Sequence, residues 1–311
     1  MAVVTAERPV RRRRRRGIRR MLFEMRKEWS AYAMLAPFFV LLGIFTLFAV
    51  GFSLYLSFHQ WDILNPQKPY VGLDNYRQLR SDAYFRQAVR NTAYFTLGTV
   101  PLSVAFGLGV ALLLNQAIRG RAVFRTFFYL PVVTPLVVSG LIWKWVLNGD
   151  FGLLNYYIGK IGIAPQLWLS DPTLAMPSVI AMSVWATVGF TMLVYLAGLQ
   201  SIPQEYYEAS SVDGASAWQQ FRYVTVPLLA PSTFFLGVYL IISSFQVFDQ
   251  IFVMTDGGPL RATTTVVYYI WQAGFQDFTM GYASAMAYAL FAIIFVFTII
   301  QVVMYSRRTE Y

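Results

Sequence analysis

Few residues in this chain have the type and spacing that covalent chemistry needs. Cysteine is absent and histidine occurs once, at His59. That excludes thiol nucleophiles, disulfides and Cys-based metal sites, and within one chain most His-based metal and triad sites. Glu205 and Glu208 are paired carboxylates at catalytic spacing, but they stand in a polar loop without a pocket. Gly159-Lys160 begins like a phosphate-binding loop, yet Ile161 occupies the position where a hydroxyl must hold Mg²⁺. No Gly-x-Ser-x-Gly, His-Glu-x-x-His or Cys-x-x-Cys pattern occurs. The expectation is a non-enzyme with no catalytic residue, metal ligand or bound cofactor of its own. If ATP drives it, the nucleotide and Mg²⁺ belong to a partner.

The remaining candidates are polar groups in apolar surroundings, where an ionisable side chain is by default a functional hypothesis. Asp249, in SSFQVFDQIFVMT, joins Gln246 and Gln250 at i, i+3, i+4, one face of a helix. Such a stripe either lines a water-filled path or clamps two helices together. Lys144, in LIWKWVLNGD, is read as snorkelling from the end of a span. Trp185 and Tyr195 lie deeper. Aromatic rings beside a polar path suit sugar rings, although core packing is the commoner role for one aromatic residue.

The elements that must position these groups are membrane spans. The chain has 311 residues, 57% hydrophobic and 13% charged, with a mean hydropathy of +0.50. A soluble domain carries about 25% charge. A crossing helix needs about 20 apolar residues. Charge-free stretches at 29–58, 91–118, 126–143, 172–204, 223–248 and 278–306 give six candidates. The helices within them are expected at 31–57, 91–114, 124–147, 175–199, 228–254 and 281–305. A shorter stretch, 262–276, is assigned to an interfacial or re-entrant segment. Pro131 and Pro135 should bend the third span. Trp61, Trp143, Trp145, Trp168 and Trp271 fall near outer boundaries and read as an aromatic belt.

Lys and Arg set the orientation. The run Arg11–Arg16 and its neighbours dominate a formal charge of +10. With one side chosen as cytoplasmic, 17 Lys and Arg residues fall there and 7 opposite. Both termini and the 201–227 loop are then cytoplasmic, and the 58–90 loop faces out with room for a small folded element. The domains expected are a basic cytoplasmic tail (1–30), a first span with its outer loop (31–90), a core (91–305) and a cytoplasmic C-terminus (306–311).

The 201–227 loop reads as two short helices broken at Asp213-Gly214. Ser201 with Gln204 has capping-box spacing, and Pro203 suits a first helical turn. A helix over 203–212 should carry Glu205 and Glu208, with small Ala209, Ser210 and Ser211 permitting close approach. Gly214 should stop it. A second helix, about 215–224, should bring Trp218 and Phe221 to one side. A short stiff element between two spans transmits a push.

Here a resemblance becomes specific. EASSVDGASAWQQFRYVTVP, residues 208–227, resembles the EAA-loop signature of binding-protein-dependent ABC importer permeases. Glu208, Ala209, Asp213, Gly214, Ala215, Phe221 and Pro227 match, with Ser210 in place of Ala. TDGGPLRATTT (255–265) and MGYASAMAY (280–288) look like the sugar-importer branch, and within it the maltose-type and glycerol-phosphate-type first permeases. The similarity covers about 31–305. It implies an all-α polytopic membrane protein of the type I importer permease class, a five-helix core plus an N-terminal helix, in a bacterial-type cytoplasmic (inner) membrane. The segment 203–213 would be a coupling helix seated on a cytoplasmic ATPase dimer, with Glu205, Glu208, Ala209, Asp213 and Gly214 as coupling residues. A second homologous permease would complete the pore, and an extracytoplasmic binding protein would deliver the sugar. Membrane lipid is the other partner, and nucleic acid is not one.

Two rival readings make different demands. A stand-alone secondary transporter or channel calls for inverted repeats and several mid-membrane carboxylates; no clear repeat is visible and Asp249 stands alone. A nucleic-acid or lipid-binding scaffold would rest on the arginine run.

Overall fold

The computed structural model describes residues 29–117 and 119–306. The arginine run, most of the expected basic tail, Arg307 and Arg308 lie outside the described residues. The chain divides into two compact units, one ending at Ser53 and one beginning at Leu54.

The first unit contains most of helix α1, Trp29–Ser57, which is π-helical over Leu42–Phe48. Its 29 residues can cross a membrane. Ile, Leu, Phe and Val dominate its surface and no residue before Ser57 is buried, as suits a helix whose solvent is lipid.

The second unit is built from helices, with two isolated antiparallel bridges, His59 with Tyr70 and Asp62 with Thr279. The 58–90 loop does carry a small element, α2, Asp74–Ser81. Helix α3, Ala83–Asn115, starts well before residue 91 because Asp82 caps it, its side chain accepting the Tyr84 N–H at 2.8 Å. After α3 come α4 (Arg121–Val133), α5 (Leu136–Val146) and α6 (Leu153–Lys160). Helix α7, Ala175–Gln200, agrees with the expected fourth span.

The bend expected in the helix over 124–147 is present, and it is sharp enough to divide that helix in two. Helices α4 and α5 meet at 98°. Pro135 has no N–H to continue the ladder and pushes Thr134 into extended backbone, φ −80°, ψ 129°. The helix expected over 228–254 is also broken. α10 is Ala230–Phe245 and α11 is Asp249–Met254, separated at 246–248. Neither Gly nor Pro marks this break. Thr265 Oγ1 donates to the Val247 carbonyl at 3.1 Å, satisfying an acceptor that a continuous helix would have used. Among the described residues, four helices, α1, α3, α7 and α13 (Met280–Ser306), are long and apolar enough to cross a membrane. The count reaches six if each bent pair, α4 with α5 and 217–228 with α10, is one span.

The segment 262–276, expected to be interfacial or re-entrant, is packed inside the protein. Its helix α12, Val266–Trp271, has Val266, Tyr268 and Tyr269 buried, and Ala273 follows them inside. Thr263, Thr264 and Thr265 before it are buried too, their hydroxyls donating to the Gly258 carbonyl (2.7 Å), the Gly257 carbonyl (2.9 Å) and Val247. Of the expected aromatic belt, Trp168 donates its indole N–H to Asn155 Oδ1 at 2.8 Å and Trp271 packs on Phe252, ring centres 5.0 Å apart. Both serve packing, whereas Trp145 is exposed.

Helices α3 and α7 cross through small residues. Gly107 faces Thr191 so closely that an added Cβ would lie 2.1 Å from its Oγ1, and that hydroxyl donates to the Ser103 carbonyl at 3.1 Å. Small residues at such crossings let apolar helices reach van der Waals contact where burial from water cannot drive them together.

Candidate functional site

The break at 246–248 positions the first site. A cavity of about 480 Å³ lies among α3, α4, α5, α7 and α10, and residues 246–250 line it. Gln246, Asp249 and Gln250 all reach it. The expectation that they share a helical stripe is wrong, since Gln246 lies in the break just after α10 and Asp249 begins α11; their convergence comes from the break. Around them stand the hydroxyls of Thr99, Ser183, Thr187, Ser243 and Ser244 and the rings of Phe95, Phe190, Tyr239 and Phe248. The hydroxyls escaped the sequence reading. Their signal was Ser183 with Thr187 at i, i+4 and the Ser243-Ser244 pair, in otherwise apolar helices. Ser183 Oγ donates to Val179 O at 2.8 Å and Thr187 Oγ1 to Ser183 O at 2.6 Å, which leaves each oxygen free to accept from a ligand. The Thr99 hydroxyl is buried without a partner.

Two expected path residues are elsewhere. Tyr195 is 1% exposed in a core of Met192, Leu199, Leu229 and Leu236, and its hydroxyl donates to Thr233 Oγ1 at 3.1 Å. It is a packing residue. Trp185 does not line the polar cavity; it packs on Trp143, ring centres 5.7 Å apart, and borders a separate apolar hollow with Phe106 and Phe127. Depth in a helix identified both residues, and depth does not encode direction. Lys144 Nζ donates to the Val253 carbonyl at 3.1 Å and so links α5 to α11.

The second site is the hairpin after α7. Helix α8, Gln204–Val212, starts behind Pro203 with no side-chain cap. The expected Ser201–Gln204 capping box is not formed, because Pro203 takes the N-cap position and Ser201 closes the preceding helix, its Oγ donating to the Gly198 carbonyl at 2.7 Å. The box occurs one helix later. Ser216 N–H donates to Gln219 Oε1 at 2.7 Å and Ser216 Oγ accepts from the Gln219 N–H, opening α9, Ala217–Leu228. Between them Gly214 sits at φ +79°. Its N–H reaches Ser211 O at 3.1 Å while Ala215 N–H reaches Ser210 O at 2.9 Å. That pair of bonds is the Schellman ending, which wants a residue without Cβ.

Cross-links stiffen this hairpin. Tyr207 and Thr225 share a hydroxyl–hydroxyl bond of 3.0 Å, and Gln220 Nε2 donates to Ser211 Oγ at 2.8 Å. Trp218 lies against Phe221, ring centres 5.3 Å apart. From 221 to 225 the backbone is π-helical, so the regular second helix expected over 215–224 holds only in part. Glu205, Glu208, Ala209, Asp213 and Gly214 are all exposed. Tyr206, Val212, Trp218 and Tyr223 are exposed as well, Val212 to 88%. The hairpin therefore presents carboxylates and large apolar groups together, with its own hydrogen bonds already satisfied.

Comparison with known proteins agrees with this architecture. Residues 103–310 match the family described as binding-protein-dependent transport system inner membrane component. A probable ABC transporter permease protein of Bacillus subtilis is 38% identical over 87% of this chain and 88% of its own length. A trehalose/maltose transport system permease protein of Thermococcus litoralis is 34% identical over 88% of this chain and 93% of its own. Crystal structures of a bacterial alginate ABC transporter, alone and in complex with alginate pentasaccharide-bound periplasmic protein, superpose with a TM-score of 0.83. Their matching chains are 25% identical, with 94% of this chain and 100% and 99% of theirs covered.

Proposed function

Since the chain belongs to the family of inner-membrane components of binding-protein-dependent transport systems, we propose that it is the permease subunit of an ATP-driven importer of a sugar. It forms half of the path, and a second, homologous permease supplies the other half. The class of sugar is an oligosaccharide, a disaccharide or a glycerol-phosphate-like molecule. The observation that carries this reading is the cavity behind Gln246, Asp249 and Gln250. Amides, a carboxylate and hydroxyls between aromatic rings are the groups that pair with sugar O–H bonds and stack on sugar C–H faces. The trehalose/maltose and alginate proteins named above support the substrate class.

The hairpin 204–228 is the handle. A cytoplasmic ATPase dimer, carrying ATP and Mg²⁺, grips α8 through Glu205, Glu208 and the apolar groups beside them, while this chain binds no nucleotide itself. Closure of that dimer shifts α8. Because the hairpin is internally bonded, the shift passes to α7 and α10 rather than being absorbed. Nucleotide thus biases an equilibrium between inward-facing and outward-facing states of the cavity. An extracytoplasmic binding protein delivers sugar to the outer loops. Both termini lie in the cytoplasm.

The test has two arms. Glu208→Lys reverses charge at the handle, so ATPase co-purification falls or ATP hydrolysis uncouples from uptake. Gln246→Ala and Asp249→Ala lower sugar uptake while the ATPase still co-purifies. Normal uptake in all three variants would overturn the reading.

A further inference from the structure

A second hollow, of about 400 Å³, shares no lining residue with the central cavity. Its size falls in the range of small-molecule sites, roughly 300–1,000 Å³. Gln60, Trp61 and Asp62 after α1, Gln78 on α2 and Asp277 before α13 line it, with the rings of Tyr269 and Tyr282 as a wall.

The walls are fixed. Backbone bonds join the strand-like turn after α1 to the start of α13: Ile63 N–H to Phe278 O at 3.2 Å, and Gly281 N–H to Trp61 O at 3.0 Å. Gly281 is pressed so close that an added Cβ would lie 2.1 Å from the His59 carbonyl. Asn75 Nδ2 donates to Ser57 O at 2.8 Å and to His59 O at 3.0 Å, holding α2 in place. Both tyrosine hydroxyls donate to Asp82 Oδ2, Tyr269 at 2.8 Å and Tyr282 at 2.6 Å. Their hydrogens are therefore spent and the rings cannot swing away. The ammonium of Lys68 lies 5.3 Å from the centre of the Trp61 ring and donates to the carbonyls of Asp62 and Asn65.

What remains unspent is selective. The side chains of Gln60, Gln78 and Asp277 hydrogen-bond to no described residue, and Asp62 uses one oxygen, accepting from the Leu64 N–H. Two carboxylates accept O–H bonds, two amides donate and accept, and aromatic faces take C–H surfaces. The same carboxylates repel an anion; of the cations nearby, Lys68 is bonded to carbonyls and the Arg261 guanidinium, which lies outside the lining, stacks on Tyr84 at 4.0 Å. We propose that this hollow is a second sugar subsite, selective for a neutral, hydroxyl-rich ring. It bridges residues 60–78 and 269–282, so an occupant ties these two segments together.

The proposal rests on the sugar-import reading, but its test needs no transport. Full-length chain in lipid nanodiscs, without binding protein, is titrated with glucose, maltose and trehalose by saturation-transfer NMR, with glucuronate as the anionic comparison. At least one neutral sugar binds saturably, and glucuronate binds at least about tenfold more weakly. Gln78→Ala and Asp277→Ala, both at exposed positions, each weaken binding about tenfold, the scale of one hydrogen bond to a charged group. Gly109→Ala, where an added Cβ meets nothing within 4 Å and which lines neither cavity, leaves it unchanged. Absence of saturable binding by all three neutral sugars, binding unchanged in both Gln78→Ala and Asp277→Ala, or equal binding of glucuronate would each overturn the subsite. Failure of the importer reading is a separate result: wild-type chain that co-purifies with no ATPase and supports no uptake.

Discussion

Asp82 does the most for its size. One carboxylate caps α3 through Tyr84 and accepts two phenol hydrogens from α12 and α13. Burial alone would raise its pKa, but the bonds from Tyr282, Tyr269 and the backbone of Tyr84 and Phe85 outweigh it, and the group sits below its ordinary value of 3.8. A depressed folded-state pKa contributes stability that is present above the unfolded value and is lost as pH falls through the folded one. Asp82→Asn is therefore expected to lower the thermal unfolding midpoint at pH 7, with the gap from wild type closing below about pH 4. A gap that stays constant with pH would refute this account. Asp82→Ala, which leaves both phenols without their acceptor, should cost about 1–3 kcal/mol. None of this was legible in the sequence, because the partners stand 187 and 200 residues away. The polar trio at 246–250 was legible by type. Its geometry was not, since no Gly or Pro announces the break.

At the scale of elements, the crossing of α3 and α7 gives a paired prediction. Gly107→Ala drives a methyl into Thr191 and the backbone at Met192, whereas Gly109→Ala, two residues on, meets nothing within 4 Å. The first should destabilise by about 1–3 kcal/mol through overpacking. The second should be neutral, or stabilise by up to about 1 kcal/mol through helix propensity. Thermal unfolding of the two purified variants checks it; equal midpoints would mean that the crossing is looser than described. In the hairpin, Gly214 at φ +79° allows a similar comparison. Gly214→Val should weaken ATPase co-purification more than Gly214→Asn, because Asn tolerates the left-handed region and a β-branched side chain does not. The hairpin itself was legible from Asp213-Gly214 and its flanking prolines. Its cap was misplaced because Ser201 and Ser216 both precede a glutamine by three residues, and only backbone direction distinguishes them.

At the scale of the whole molecule, membrane character and most spans followed from charge-free length, because lipid forces every backbone group into helices. The burial of 262–276 did not follow, since a short apolar stretch reads the same on a surface as inside a bundle. Orientation rests on 17 basic residues against 7. It can be tested cleanly, because the native chain has no cysteine. Leu64→Cys and Val212→Cys, at positions exposed to 75% and 88%, place one thiol on each side. A membrane-impermeant maleimide should label Leu64→Cys in intact spheroplasts and Val212→Cys only after permeabilisation. The reverse pattern would put the hairpin outside and remove it from any cytoplasmic ATPase.

The interruption between α10 and α11 has one further effect. On a regular helix the screw fixes the angle between neighbouring side chains, so changing what a path accepts means rotating or repacking the rod. Here Gln246 lies in an irregular stretch anchored by Thr265 at the Val247 carbonyl, and Asp249 and Gln250 open the short helix beyond it. Each can be exchanged without disturbing how the surrounding rods interlock. On the proposed reading, cargo selectivity can therefore be altered one substitution at a time at these three positions.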